Sequence, residues 1–271
     1  MKIMRADSWI HRETGIAATE ILGGQLALNR NCTVIDLEPS AAPLDPMEFE
    51  RQLRAAGHSY HIYHPLNVLL NSGLASPAQV RAWVATRFCF EFNLPMMDAA
   101  ILANCGDRDV RREWVLRILD QDGYGPDPGG IEAWIRLGEA VGLPATELWS
   151  MQHVLPAVRA AVATCLDFAR RQPWQEGICA SLTELLAPSV HRERLATWSV
   201  HYPWIEPSAL DYFRSWVAMA PIDAEFGLRV TVENFRTRAE QTRALEILRF
   251  KLDLLWSVLD AIQQRHGAES A

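Results

Sequence analysis

The sequence predicts an all-α protein, a compact helical bundle carrying an N-terminal extension. Amphipathic stretches with helical period occupy nearly all of the chain from Asp45 onward. The connections between them are short and marked by Pro, Gly and Asp, as in bundles with neighbouring antiparallel helices. The first stretch also opens on a strong start signal, and no internal repeat or low-complexity tract interrupts the series.

Residues 1–44 are set apart as an extension, with a short strand at TVIDL (Thr33 to Leu37) and a linker, EPSAAPLDP. The helical domain spans 45–271. Asp45 suits an N-cap, Pro46 the first helical position, and Glu48 the reciprocal position three residues on; Gly57 ends that helix. Further helices are expected at about 77–103, 107–121, 130–142, 145–171, 173–186, 189–199, 207–219, 222–238 and 239–266. Pro95 should kink the first of these, the long helix at 77–103. DQDGYGPDPGG (Asp120 to Gly130) and HYPWIEP (His201 to Pro207) read as loops.

At 271 residues the chain can bury one sizeable core. A net charge of -7 and a pI near 5.6 give no overall attraction to nucleic acid or anionic membranes. No apolar run reaches the ~18 residues of a membrane span, and the N-terminus lacks the apolar region of a secretory signal. Five scattered cysteines without a CxxC pair read as thiols of a reducing cytoplasm.

Two helices aim charge at the core. From Ala244 to Ile262, at about 100° per residue, Glu246, Arg249, Asp253, Ser257 and Asp260 share one side. Lys251 points the opposite way, among Ile247, Leu248, Leu255 and Val258. Lysine is rarely buried without a partner, so something anionic is expected to meet it; snorkelling or an internal salt bridge is the alternative. From Val80 to Leu94, the face bearing Val80, Trp83, Val84, Phe90 and Leu94 also bears Arg87 and Glu91 at i,i+4. That pair is expected to face inward. Together these features suggest an interior pocket for a carboxylated ligand.

Several separated runs resemble the pyrroloquinoline quinone biosynthesis protein C family, within the haem-oxygenase-like helical fold. They are YHIYHP (Tyr60 to Pro65), WVATRF (Trp83 to Phe88), DAAILANC (Asp98 to Cys105), RILDQDG (Arg117 to Gly123), GGIEAWIRLGEAVGL (Gly129 to Leu143), SLTELLAP followed by His191, HYPWI (His201 to Ile205) and LEILRFKLDLLWSVLDA (Leu245 to Ala261). The resemblance runs from Phe49 to the end of the last helix, and it is their order and spacing that make it specific.

What the resemblance implies is a cofactorless, homodimeric oxidase that uses dioxygen as co-substrate and releases hydrogen peroxide. Its substrate is a small bicyclic, carboxylated, quinone-like molecule. The site residues it implies are His191, Tyr212 and Glu184 as catalytic groups. Tyr60, His61, Arg87, Glu91, Gln121, Arg194, Trp216 and Lys251 would bind substrate. For Glu184 an internal pairing with a nearby cation is an equal alternative. His61 and His64, at i,i+3, read as core or pocket histidines in preference to a metal pair.

Four positions depart from the family pattern. Gln121 stands where the family usually has histidine, and glutamine cannot take up a proton near neutral pH. Trp216 replaces a usual arginine, Cys165 a tyrosine, and Glu91 a glutamine. The changes remove two groups able to carry positive charge and add an acid, so a less anionic ligand is expected. Three readings compete: a working oxidase of the family, a diverged relative acting on a smaller or amino-acid-derived substrate, and a non-catalytic binding or interaction module. A di-iron site of the kind found in relatives of this fold is disfavoured, because Tyr212 and Trp216 occupy the late-helix positions its further ligands would need.

Overall fold

The computed structural model describes residues 42–56, 61–185 and 187–266, with His61 described by its backbone alone. These residues belong to the unit running from Pro39 to Ala271. The TVIDL segment and Tyr60 lie outside the described residues. Among the described residues there are eleven α-helices and no strand beyond one isolated bridge.

The first helix, α1 (Pro46–Ala55), begins as expected. Asp45 accepts from the Met47 and Glu48 amides, while Glu48 turns outward to Arg51 and Gln52. Next come α2 (Pro65–Asn71), α3 (Pro77–Asn104) and α4 (Arg108–Asp122). The short α2, absent from the sequence reading, is nucleated by His64. Its Nδ1 accepts the Leu66 amide at 3.0 Å and its Nε2 meets Asp260 Oδ1 at 3.0 Å. His64 is thus a satisfied buried cap. In α3 a reciprocal Ser76–Gln79 capping box and Pro77 set the start, and the helix continues through Pro95 to Asn104.

After α4 the glycine-rich loop turns back on itself. Gly123 takes φ +83, and a Cβ there would stand 2.5 Å from the Asp127 carbonyl oxygen. The Tyr124 and Asp127 amides and carbonyls pair reciprocally at 3.0 and 3.1 Å. Then follow α5 (Gly129–Ala140), α6 (Ala145–Trp149), α7 (Pro156–Arg171) and α8 (Trp174–Ala180). The expected single helix over 145–171 is therefore two, because Pro156 opens a new helix and supplies no amide to continue the old one.

The last three helices are α9 (Ala187–His201), α10 (Asp211–Asn234) and α11 (Arg238–His266). Here the sequence reading divided one element: α10 runs unbroken through Pro221, whose residue is exposed. Helix α3 packs on α4 and α7, α9 on α10, and α11 on α7 and α8. Leu44 ties the start of the domain to α11, through its amide to Gln241 Oε1 at 2.7 Å and its carbonyl from Gln241 Nε2 at 3.0 Å. A ladder of buried rings crosses the middle of the bundle. Trp83 lies 5.4 Å from Trp134 and 5.5 Å from Trp198, and Trp134 meets Tyr212 edge-on at 4.7 Å. Such edge-to-face contacts fix ring positions as well as burying area.

Candidate functional site

The ring ladder forms one wall of an inner cavity with about 90 Å³ of space for water centres, enclosed by α3, α9, α10, α11 and the 3₁₀ turn after α8. Lys251 enters it from mid-α11. The register of that helix is set at its start, where Thr237 and Glu240 cap each other: the Thr237 amide donates to Glu240 Oε2 at 2.8 Å and the Glu240 amide to Thr237 Oγ1 at 3.2 Å. Lys251 is 9 % exposed. Its Nζ lies 4.9 Å from the Phe90 ring centroid, and it makes no hydrogen bond or ion pair with any described residue. Its charge reaches the Asp98 carboxyl only beyond ion-pair distance; a buried ammonium without an ion-pair partner is costly, and it lines the cavity.

Arg87 and Glu91 on α3 form the inward pair, Nε to Oε1 at 2.6 Å, with Glu91 only 2 % exposed. The other Glu91 oxygen accepts from the Tyr212 hydroxyl at 2.5 Å. One carboxylate therefore joins the arginine of α3 to the tyrosine of α10. Burial, then the Glu91 charge and its hydrogen bond, push the Tyr212 phenol well above its usual range. It stays a neutral donor at any physiological pH.

His191 and Arg194 share a face of α9, as their i,i+3 spacing implies. Arg194 donates to Asn67 Oδ1 at 2.8 Å and lies over Trp83 at 4.4 Å. The His191 ring stacks 5.5 Å from Phe213, and its Nδ1 is buried without a hydrogen-bond partner. Burial, reinforced by the charges of Arg194 and Arg87, holds its pKa well below the ordinary value. His191 is a neutral imidazole with one ring nitrogen available to a ligand.

Glu184 borders the same cavity but is committed elsewhere. Arg117 of α4 grips it with both terminal nitrogens, Nη1 at 2.5 Å and Nη2 at 2.6 Å. Asp98 and Asp223 approach the same guanidinium at 3.3 and 3.5 Å. Three carboxylates thus surround one buried cation. Burial overrides the attraction of Arg117 and lifts Asp98 to about 6 and Asp223 to about 7. The sequence reading missed Arg117, Asp98 and Asp223. The signal was present for Arg117, which shares the buried face of α4 with Trp114 and Gln121 at helical spacing.

Gln121 does not line the inner cavity itself, but its side chain meets Tyr212, which does. It lines an outer cavity of about 320 Å³, between the Asp127–Gly130 loop and the start of α10. The closely packed Gly130 leaves room for it: a Cβ there would be 2.4 Å from Gln121 Oε1. That oxygen is buried and has no hydrogen-bond partner. Trp216 and Tyr212 border both cavities. The structure therefore brings Arg87, Glu91, Glu184, His191, Arg194, Tyr212, Trp216 and Lys251 to one cavity, together with Cys165, and sets Gln121 beside it. Tyr60 and the His61 side chain lie outside the described residues. Among the described residues no group of three or more His, Cys, Asp or Glu is arranged to hold a metal ion.

The family model described as TENA/THI-4/PQQC family matches residues 50–261. The chain is 54 % identical over 230 residues to a pyrroloquinoline-quinone synthase of Pseudomonas aeruginosa, covering 85 % of this chain and 92 % of that one. It is also 54 % identical over 226 residues to a pyrroloquinoline-quinone synthase of Pseudomonas putida, covering 83 % and 90 %. Among solved structures, a TenA homologue from Pseudomonas syringae pv. tomato superposes with a TM-score of 0.65 at 14 % identity, covering 84 % of this chain and 96 % of that one. A Shewanella denitrificans domain described as having a heme oxygenase-like fold superposes with a TM-score of 0.66 at 12 % identity, covering 84 % and 97 %. The fold expected from the sequence is the fold found.

Proposed function

Because the chain belongs to the TENA/THI-4/PQQC family, we propose that it is an oxygen-dependent oxidase of the kind its pyrroloquinoline-quinone synthase relatives are named for. Its substrate is a small carboxylated, quinone-like or amino-acid-derived ring compound. The reaction removes two electrons and two protons from the substrate per turnover and delivers them to dioxygen, giving hydrogen peroxide. The electrons come from the substrate ring itself, so neither metal nor flavin is required. The protein works in the cytoplasm as a homodimer. The observation that carries this reading is Lys251, a buried ammonium facing a ring-lined cavity with no carboxylate at ion-pair distance among the described residues, its charge reaching Asp98 only at longer range.

The side chains divide the work by their charge states. Lys251 and Arg194 receive carboxylate oxygens. His191, neutral, takes a proton at Nδ1 from a ring hydroxyl or an acidic C–H, and Tyr212 donates a hydrogen bond from a phenol that does not ionise. Glu184 orients through Arg117. Gln121 hydrogen-bonds but does not titrate, which leaves proton transfer to His191 or a water.

A second reading, a relative diverged toward a smaller and less anionic substrate, is favoured by Glu91. Its carboxylate neutralises Arg87 and repels a polyanion at the same wall. Oxygen uptake tests the function. The protein supplied with carboxylated catechol and quinol compounds should consume oxygen and produce peroxide in equal amounts, and Lys251→Ala should lower kcat/KM by about a hundredfold. No oxygen uptake with any such compound that demonstrably binds would refute the oxidase reading.

A further inference from the structure

The boundary between the inner and outer cavities carries a cluster of acids that the chemistry above leaves unused. Leu94, Asp98, Arg117, Tyr212 and Trp216 line both spaces. Of the remaining acids beside Arg117, Glu184 lines the inner cavity, and Asp120 and Asp223 line the outer one. One guanidinium joins the set from side to side. Arg117 holds Glu184 at 2.5 Å and Asp98 at 3.3 Å, and its Nη1 lies 3.5 Å from Asp223. Asp98 is 4 % exposed, whereas the Asp223 side chain is 21 % exposed. The acids therefore run from a sealed position to one that solvent reaches.

Such a cluster cannot be fully ionised. With three carboxylates charged around one arginine, the interior would carry an excess of two negative charges. Buried like charges at this spacing do not all ionise, so a proton is retained and shared among them. The other charged groups facing the two aspartates are Lys251 of α11, which attracts Asp98 at longer range, and Asp120 of α4, which repels Asp223. Helix α5 adds Arg136 to the outer cavity. Burial, with Glu184 beside them, raises Asp98 to about 6 and Asp223 to about 7 against the attraction of Arg117. An acid that titrates this close to neutral pH both gives up and regains a proton readily.

We propose that Asp98, Glu184 and Asp223 form a proton relay around Arg117 that links the outer cavity to the inner one during turnover. This rests on the oxidase reading and goes further by assigning the path of its protons. In each cycle two electrons pass from the substrate to dioxygen. One substrate proton goes to His191 and the other to the reduced oxygen, leaving a hydroperoxide anion. Asp98, on the inner side, gives that anion its second proton, which completes hydrogen peroxide. Asp223 then reloads Asp98 from water in the outer cavity, and His191 returns its proton to solvent. The substrate has lost two protons and two electrons, and dioxygen has gained both. The relay supplies what neither His191, unprotonated at rest, nor Tyr212, which does not ionise, can give.

Oxidation of the family's quinone precursor and of 3,4-dihydroxybenzoate by Asp98→Asn and Asp223→Asn proteins tests it. An amide keeps the shape of a protonated carboxyl, so both variants should fold. Each should lower kcat at neutral pH by about a hundredfold while KM stays within about twofold. Added acetate, small enough for the outer cavity, should restore about tenfold in Asp223→Asn, which it would not do for a structural defect. A second readout needs no turnover. The infrared band of a protonated carboxyl should be present in the resting wild type at about pH 6. It should be largely lost in either variant, where two carboxylates remain for one guanidinium. Absence of that band in the wild type overturns the proposal whatever the variants do. So does an undiminished kcat in either folded variant, or a loss in Asp223→Asn that acetate leaves unchanged. If the wild type oxidises a compound and the variants are unimpaired, the relay alone falls. If it binds both compounds and oxidises neither, the oxidase reading falls and takes the relay with it.

Discussion

The Tyr212 hydroxyl donates to Glu91 at 2.5 Å while the other oxygen of the same carboxylate accepts from Arg87 at 2.6 Å. A residue of α3 thereby fixes both a donor of α10 and the cation beside it. Glu91→Gln keeps the shape and removes the charge. It should strengthen binding of a carboxylated ligand by about tenfold, or ~1.4 kcal/mol, because Arg87 then faces the ligand without a competing anion. It should also lower the Tyr212 pKa, since two of the causes that raise it disappear. Calorimetry reads the first effect and ultraviolet titration of the phenol the second; unchanged affinity would show that Arg87 does not face the ligand.

Arg117 gives a stability prediction. Arg117→Ala would leave Asp98, Glu184 and Asp223 around an empty position in the interior. Breaking a buried pair from one side costs about 3–5 kcal/mol, and urea unfolding should show a loss of that order. Arg117→Lys should recover only part of it, because an ammonium cannot hold Glu184 with two parallel bonds. Full stability in the alanine variant would mean that the cluster is solvated.

The same cluster sets a pH dependence. Asp98 is raised from 3.8 to about 6 and Asp223 from 3.8 to about 7. Between these values the folded protein binds more protons than the unfolded chain, so stability falls as pH rises. The contribution is complete below about pH 4 and lost once pH passes about 6 to 7. Asp98→Asn should flatten the slope between pH 4 and 7 by an amount on the order of 2 kcal/mol, measured as urea midpoints across that range. A wild-type slope of opposite sign, after the surface carboxylates are accounted for, would contradict the assignment.

Lys251 should separate binding from folding more cleanly than Arg194. Each alanine variant is expected to lose at least about tenfold in ligand affinity. Lys251→Ala should unfold within ~1 kcal/mol of the wild type, because Lys251 has no ion-pair partner among the described residues to strand. Arg194→Ala should cost about 1–3 kcal/mol, because it takes a donor from the buried Asn67 Oδ1. Equal losses of binding and stability in Lys251→Ala would make that side chain structural.

Much of this site was legible because helical period assigns faces. Lys251 and the Arg87–Glu91 pair sit opposite their charged neighbours on two long helices, and the structure puts all three inside. What period cannot give is the partner across the bundle. Glu91 and Tyr212 are 121 residues apart, and Arg117 and Glu184 are 67 apart. No local pattern says which charges meet. That is why Glu184 was open between two roles, and why Asp98 and Asp223 went unnoticed. The element errors have similar causes. Pro156 divides a continuous apolar period, and α10 passes through Pro221 because that residue lies on the exposed side. The α2 start depends on an imidazole acting as cap, which has no strong sequence signal.

The central claim is that the buried ring-lined cavity oxidises its ligand with dioxygen. The most direct measurement is anaerobic mixing of the purified protein with the quinone precursor of the family's reaction, and in parallel with a one-ring carboxylated catechol, followed by admission of air while absorbance is recorded. The account predicts a spectral change on anaerobic binding of at least one compound, then quinone absorbance growing only after air enters, with one peroxide formed per two electrons removed. Ligand that binds anaerobically and remains reduced in air, with no peroxide formed, would contradict it.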